Sequence, residues 1–289
     1  MPALHSSSHS SPCAKHSVMP ASRFAQGLHS PKHNHLLASL PAAHYGRLLP
    51  HLELATMKAG DVLQQAGVSI DWVYFPTTSV VCLGYITASG SSPAVGLTGN
   101  DGIIGLACVM GGDSSSTQAI VQSAGYGYRI RASLLKQELQ RNSELLRIAL
   151  LYTQAFFTQV SQTAVCNRLH SVDQQFCRWL LMSVDRLGTT EIHLTHESIA
   201  TMLGVRREGV TQAAGRLQAK GYIQYSRGEI HILNHPAIEQ EACECYAAVN
   251  GEYERLLHFK LCSPVAPTQA MYVSKVPFSH VHAHANDAE

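Results

Sequence analysis

Between Thr195 and Arg227 the chain gathers side chains that form paired hydrogen bonds: Arg206, Arg207, Glu208, Thr211, Gln212 and Arg216. An arginine fork donates two bonds to a guanine edge, a glutamate accepts from the cytosine amine, and a glutamine pairs with adenine. These residues share a stretch with Val210, Ala213, Ala214 and Leu217, which recur at helical steps. A helix opening at Arg206 or Arg207 would therefore bury one side and present the polar side outward. Arg206, Arg207, Arg216, Lys220 and Arg227 stand here against Glu197 and Glu208, while the whole chain has a net charge of only +1. The basic character is local, where a phosphate backbone would need it.

The other reactive residue types show no comparable arrangement. Cysteines stand at Cys13, Cys82, Cys108, Cys166, Cys177, Cys243, Cys245 and Cys262, with no C-x-x-C pair. Cys243 and Cys245 are the one close pair, and two ligands do not close a metal site. We read the thiols as reduced and mostly buried, give the pair a structural rather than a metal or redox-sensing role, and expect neither metal nor cofactor. His5, His9, His16, His29, His33 and His35 lack fixed spacing, so composition explains them. No nucleophile elbow, phosphate loop, H-E-x-x-H or evident acid–base pair occurs, and catalysis is not expected.

The elements that must hold the polar set can be read around it. Thr195 caps a helix whose Ile199, Met202 and Leu203 face inward, and Gly204 supplies the turn into the second helix. Strands at 222–225 and 229–233 flank Ser226-Arg227-Gly228, a wing whose tip can reach a phosphate. Residues 172–187 form a further helix, closing a winged helix-turn-helix over 171–262. Upstream, residues 132–170 hold a short helix and a long one from Ser143 to about Leu169. The long helix is apolar on two sides, with Leu145, Ala149, Tyr152, Phe156 and Val160 on one stripe and Leu146, Leu150, Phe157 and Ala164 on another. The first, more continuous stripe is the expected seam of a homodimer. Residues 36–131 open with a helical lead-in and continue as short β-branched or aromatic runs between Gly, Pro and Asn breaks, the pattern of an antiparallel roll. Residues 1–35, rich in Ser, His and Pro, are expected to be disordered, and 263–289 to be a flexible tail. The fold class is α+β. No apolar run approaches the roughly 18 residues that span a bilayer, and the N-terminus lacks the order of a secretory signal, so a cytoplasmic location without membrane contact is expected.

With these residues in view, the chain resembles the Crp/Fnr superfamily of bacterial regulators. The resemblance runs over about residues 52–246. It rests on Lys58-Ala59-Gly60-Asp61 opening the roll, on the long helix, on Gly204 to Val210 with Leu217, and on Lys220-Gly221-Tyr222-Ile223. It implies a cyclic-nucleotide-binding-like roll as sensor, a dimerising helix, and a second helix of the motif that enters the major groove with Arg207 and Glu208 reading bases. The implied function is sequence-specific DNA binding that regulates transcription, with ligand or redox gating by the roll or the cysteines as the alternative. The implied partners are double-stranded DNA, a second copy and RNA polymerase. The cyclic-nucleotide cassette departs from the family: Leu106 stands where a Glu would hold the ribose, and Thr117 or a neighbouring Ser where an Arg would meet the phosphate. Both charge-assisted bonds are missing, and the sequence names no ligand.

Overall fold

The computed structural model describes residues 29–87, 92–141 and 143–261. The readings made for residues 1–28, Ser89-Gly90, Asn142, Cys262 and the tail from 263 lie outside those residues.

The described chain enters through α1 (His35–Ala38) and α2 (Ala42–Leu48). Residues 29–35, expected to be disordered, are ordered, and Asn34 is the main reason. Its side-chain oxygen accepts from the Leu36 and Leu37 amides, while its side-chain nitrogen donates to the Pro76 and Gly102 carbonyls. The Tyr128 hydroxyl donates to the His29 carbonyl at 2.5 Å. One asparagine thus satisfies four backbone groups, a bond set that neither composition nor periodicity reveals.

Seven strands build the antiparallel roll: β1 (Glu53–Met57), β2 (Val62–Gln64), β3 (Trp72–Pro76), β4 (Val80–Gly84), β5 (Ala94–Thr98), β6 (Gln118–Ser123) and β7 (Gly125–Arg131). They pair in the orders β1-β7-β3 and β2-β6-β4-β5. The apolar run of β4 is continuous because both of its faces are covered. Val81 and Leu83 turn into the roll, and Val80 and Cys82 turn toward the C-terminal domain. Helices α3 (Leu106–Val109) and α4 (Ala132–Arg141) pack beside the roll and lead into α5 (Ser143–Leu169). At 27 residues, α5 is about 40 Å long.

One side of α5 is fitted to the roll. A Cβ on Gly96 would stand 2.6 Å from the Phe156 ring, and one on Gly102 would collide with the Tyr152 hydroxyl, so neither position accepts a larger residue without displacement. Gln159 completes the edge of β5, accepting from the Leu97 amide at 2.6 Å and donating to its carbonyl at 3.1 Å. Leu145, Ala149, Tyr152 and Phe156, expected at a seam between subunits, are consequently buried inside the single chain, and Val160 is half-buried. The α10 helix (Cys245–Leu257) covers the same core with Val249, Tyr253, Leu256 and Leu257. The sequence reading places it within the winged helix-turn-helix segment 171–262; in the structure its Val249, Tyr253, Leu256 and Leu257 join the core beneath α5.

The C-terminal domain begins with α6 (Val172–Leu187), entered through a capping box at Ser171 and Gln174. Near its end Arg186 forms an ion pair with Asp101 at 2.9 Å, and both side chains are 0% exposed. Asp101 also accepts from the Gly99 amide at 2.7 Å, and Arg186 donates to the Met182 carbonyl at 3.0 Å. Burial alone would lower the Arg186 pKa; Asp101 and the surrounding Tyr253, Asp185 and Tyr152 outweigh it and leave the pKa raised.

Removing one partner of such a pair strands a buried charge. Asp101→Ala should cost about 3–5 kcal/mol in urea unfolding, and pairing it with Arg186→Met should recover much of that loss. A single variant as stable as the parent would show that the pair holds nothing.

Candidate nucleic-acid interface

Helix α7 (His196–Leu203) starts at Thr195, whose hydroxyl accepts from the Ser198 amide at 3.2 Å. It ends at Gly204, which sits at φ 66°, a backbone conformation that favours glycine. One residue after Val205, Arg206 takes the cap position of α8 (Arg207–Ala219). Val210, Ala213, Ala214 and Leu217 of α8 join Ile199 and Ala200 of α7 and Phe176, Trp179 and Leu180 of α6 in one apolar core. Strands β8 (Glu191–His193), β9 (Ile223–Ser226) and β10 (Glu229–Ile232) form the accompanying sheet in the order β8-β10-β9, and α9 (His235–Glu241) follows. The wing was legible as two strands; β8, only three residues long, was not.

The opposite side of this support is polar and exposed. Thr195, Arg206, Arg207, Glu208, Thr211, Gln212, Arg216 and Arg227 are all exposed, so the structure brings every sequence-derived contact residue to the surface of one domain. Their charges are not equally free. Arg216 is held in a fork on Asp173 of α6, at 2.7 and 2.5 Å, and Lys220 pairs with Glu241 at 2.6 Å. Arg207 lies 3.9 Å from Glu197, a loose pair between two well-exposed groups. No ion pair to Arg206 or Arg227 occurs among the described residues. The basic patch counted along the sequence is therefore concentrated at the N-terminal end of α8 and the wing tip, because Asp173 and Glu241 lie outside the stretch that was counted.

Two further contacts set the face. The His196 ring stacks on Tyr225, with centroids 4.1 Å apart, and ties the start of α7 to the wing. Its Nδ1 lies 3.0 Å from the Thr211 hydroxyl. Burial, followed by the nearby Arg207, lowers its pKa, so it adds no charge near neutrality. At the wing tip Arg227 sits at φ 51° and Gly228 at φ 83°, the left-handed pair of a two-residue hairpin turn.

In the roll, the stretch that corresponds to the family's nucleotide cassette has an apolar first half, Gly105 to Met110, and a polar second half whose Ser115 and Thr117 bond within the chain. Gly105 stands at φ 104° before α3, Cys108 and Val109 are buried, and Leu106 packs against the core. The Thr117 hydroxyl lies 2.8 Å from that of Ser115, and the Thr117 carbonyl accepts from Gln64.

The profile of the Crp-like helix-turn-helix domain matches residues 174–241, from the first turn of α6 to the end of α9. The chain carries a Crp-like helix-turn-helix domain over that segment. It is a DNA-binding transcription regulator. Solved structures of similar fold span nearly all of their own length on it. A transcriptional regulator of the Crp/Fnr family from Eubacterium rectale is 19% identical, with a TM-score of 0.56 over 72% of this chain and 98% of that one. FixK2 from Bradyrhizobium japonicum is 15% identical, with a TM-score of 0.58 over 66% of this chain and 98% of its own. The c-di-GMP-responsive global regulator CLP from Xanthomonas campestris is 14% identical, with a TM-score of 0.53 over 66% and 99%. At these identities the likeness is one of fold. No curated protein matches the chain. No helix among the described residues is long and apolar enough to cross a membrane.

The uneven pairing of the arginines separates their contributions to binding. Arg227→Ala should reduce the salt dependence of DNA affinity by about one phosphate contact, whereas Arg216→Ala should leave the slope unchanged because its fork stays on Asp173. Titrations on random duplex across salt concentrations measure both, and equal slopes for the two variants would contradict this division.

Proposed function

We propose that this chain is a regulator of the Crp/Fnr type that binds an inverted repeat as a homodimer, with the N-terminal part of α8 in the major groove. One observation carries the reading: the Arg207 and Glu208 side chains are exposed on a helix whose opposite face, through Val210 and Ala213, is fixed in a core. A buried support holds the reading groups in a defined direction, which direct readout demands. Arg207 and Glu208 read base edges, and Thr211 and Gln212 extend the contact along the groove. Thr195, Arg206 and Arg227 hold phosphates, with Arg216 bracing α8 through Asp173. DNA is read in the cytoplasm, and RNA polymerase is the partner on which regulation acts.

The dimer rests on the side of α5 that the chain leaves open. Leu146, Leu150, Thr153, Phe157, Val160, Ala164 and Asn167 follow alternating steps of four and three, the spacing of a helix–helix seam. Phe157 is 70% exposed and Leu150 47%. Leu146, Leu150, Phe157 and Ala164 are the second stripe of the sequence reading, Val160 and Asn167 come from the first, and Thr153 belonged to neither. Two recognition helices one DNA turn apart, about 34 Å, would match half-sites centred roughly 10 bp apart.

Arg207→Ala should weaken binding to a selected site by about 1–3 kcal/mol and relax discrimination at one base pair. Gel-shift titrations on the selected site and on random duplex read the effect; equal losses on both would remove Arg207 from base reading.

Phe157→Asp should leave a folded subunit of halved mass in sedimentation equilibrium. Phe156→Asp, a charge beneath the roll, should unfold the protein as judged by circular dichroism. A folded, dimeric Phe157→Asp protein would place the seam elsewhere.

A further inference from the structure

Where α5 runs into α6, the fold assembles a group that the chain keeps far apart in sequence. Cys166 in the last turn of α5 and His170 just beyond it share one helical face, four residues apart. Cys243 arrives from the link between α9 and α10, and Cys245 opens α10. One ligand atom from each of the four lies within 4.8 Å of all the others, and the three cysteines are buried. We propose that Cys166, His170, Cys243 and Cys245 form a tetrahedral site for a zinc-class divalent ion, which clasps the end of the long helix, the entry to the DNA-binding domain and the C-terminal helix.

The spacing fits that ion. Zinc–sulfur bonds of about 2.3 Å and zinc–nitrogen bonds of about 2.0–2.1 Å give tetrahedral edges of roughly 3.5–3.8 Å. The Cys166 and Cys243 sulfurs are 3.5 Å apart, and the Cys245 sulfur lies 3.6 Å from His170 Nδ1. With Nδ1 facing the thiols, His170 Nε2 lies 3.2 Å from the Glu244 carboxylate. A carboxylate on the far ring nitrogen is the usual outer support of a metal-bound histidine.

Charge gives an independent argument. Arg178 is buried, at 6% exposure. Its Nη2 donates to the Thr163 hydroxyl, its Nε has no hydrogen-bond partner, and no carboxylate pairs with it among the described residues. Its positive charge acts on both Cys166 and Cys245. A divalent ion held by three thiolates and a neutral imidazole carries one net negative charge, the counter-charge that this guanidinium lacks. On binding, each protonated thiol passes its proton to solvent.

The donor set is soft, and it leaves no position for substrate, as in closed structural sites. A disulfide between Cys166 and Cys243 would use only half of the group and leave Cys245 and His170 without a role.

The full-length protein, purified reduced and stripped of metal, should take up one equivalent of Co²⁺. It should then show the intense visible bands of tetrahedral cobalt and a sulfur-to-cobalt charge-transfer band, both displaced by Zn²⁺. Cys243→Ser and His170→Gln should each lose the tightly held equivalent while circular dichroism stays unchanged, and Cys108→Ala should keep it. Glu244→Gln should weaken binding by about tenfold. His170 is only partly buried, so its variant keeps the test open if Cys243→Ser fails to fold. Binding without sulfur-to-cobalt charge transfer, the mark of the histidine-rich termini alone, would overturn the proposal. So would full retention of the band in both variants, or a stripped, reduced protein that takes up no metal.

Discussion

The buried ion pair between Asp101 and Arg186 ties the roll to the C-terminal domain at a point where the long helix and the C-terminal helix also meet. Asp101 belongs to the roll and Arg186 to the first helix of the DNA-binding domain, and neither touches water. Around them stand Tyr152 from the long helix, whose hydroxyl lies 3.0 Å from that of Thr98, and Tyr253 from the C-terminal helix, with its ring 5.8 Å from the guanidinium. Burial, reinforced by the negative charge of Asp101, pushes the pKa of both tyrosines up, so they remain neutral. A charge pair in such surroundings gains little net stability over apolar packing. It does penalise every arrangement in which the two domains separate without water reaching both charges, and so it favours one relative placement.

The long segments were legible because their patterns are long. Helices α5 and α6 follow the sequence reading almost to the residue, and the turn at Gly204 declares itself through one glycine between two periodic runs. The run in β4 was visible as apolar residues, but a run without alternation does not say that two different domains cover its faces. The short or exposed strands β1, β2, β5 and β8 gave no signal, since three to five residues carry too little periodicity. The stripe on α5 was read correctly as two-sided. Which side meets the chain's own roll depends on Gly96 and Gly102 making room for Phe156 and Tyr152, and that fit exists only in three dimensions.

The reading head was the clearest part of the site, because its function demands particular residue types at helical spacing. Its electrostatics were less clear. Arg216 and Lys220 count as basic along the sequence and are neutralised by Asp173 and Glu241 in space. The group at Cys166, His170, Cys243 and Cys245 was invisible for the same reason: its two halves are more than seventy positions apart, and each half alone is unremarkable. The four-residue step from Cys166 to His170 was the available signal, and only the turn after α5 and the link before α10 give it a partner.

The shared strand β4 has a consequence for how this chain can vary. Side chains in a strand alternate strictly, so inserting or deleting one residue within Val80–Gly84 would exchange its two faces. Val81 and Leu83 would leave the interior of the roll in the same step that Val80 and Cys82 left the DNA-binding domain. Swaps of similar volume at these positions disturb one core at a time, whereas a change of length unseats both together. The tolerance of this strand is therefore a matter of counting rather than chemistry: its residues are exchangeable in kind, but their number is fixed by two domains at once.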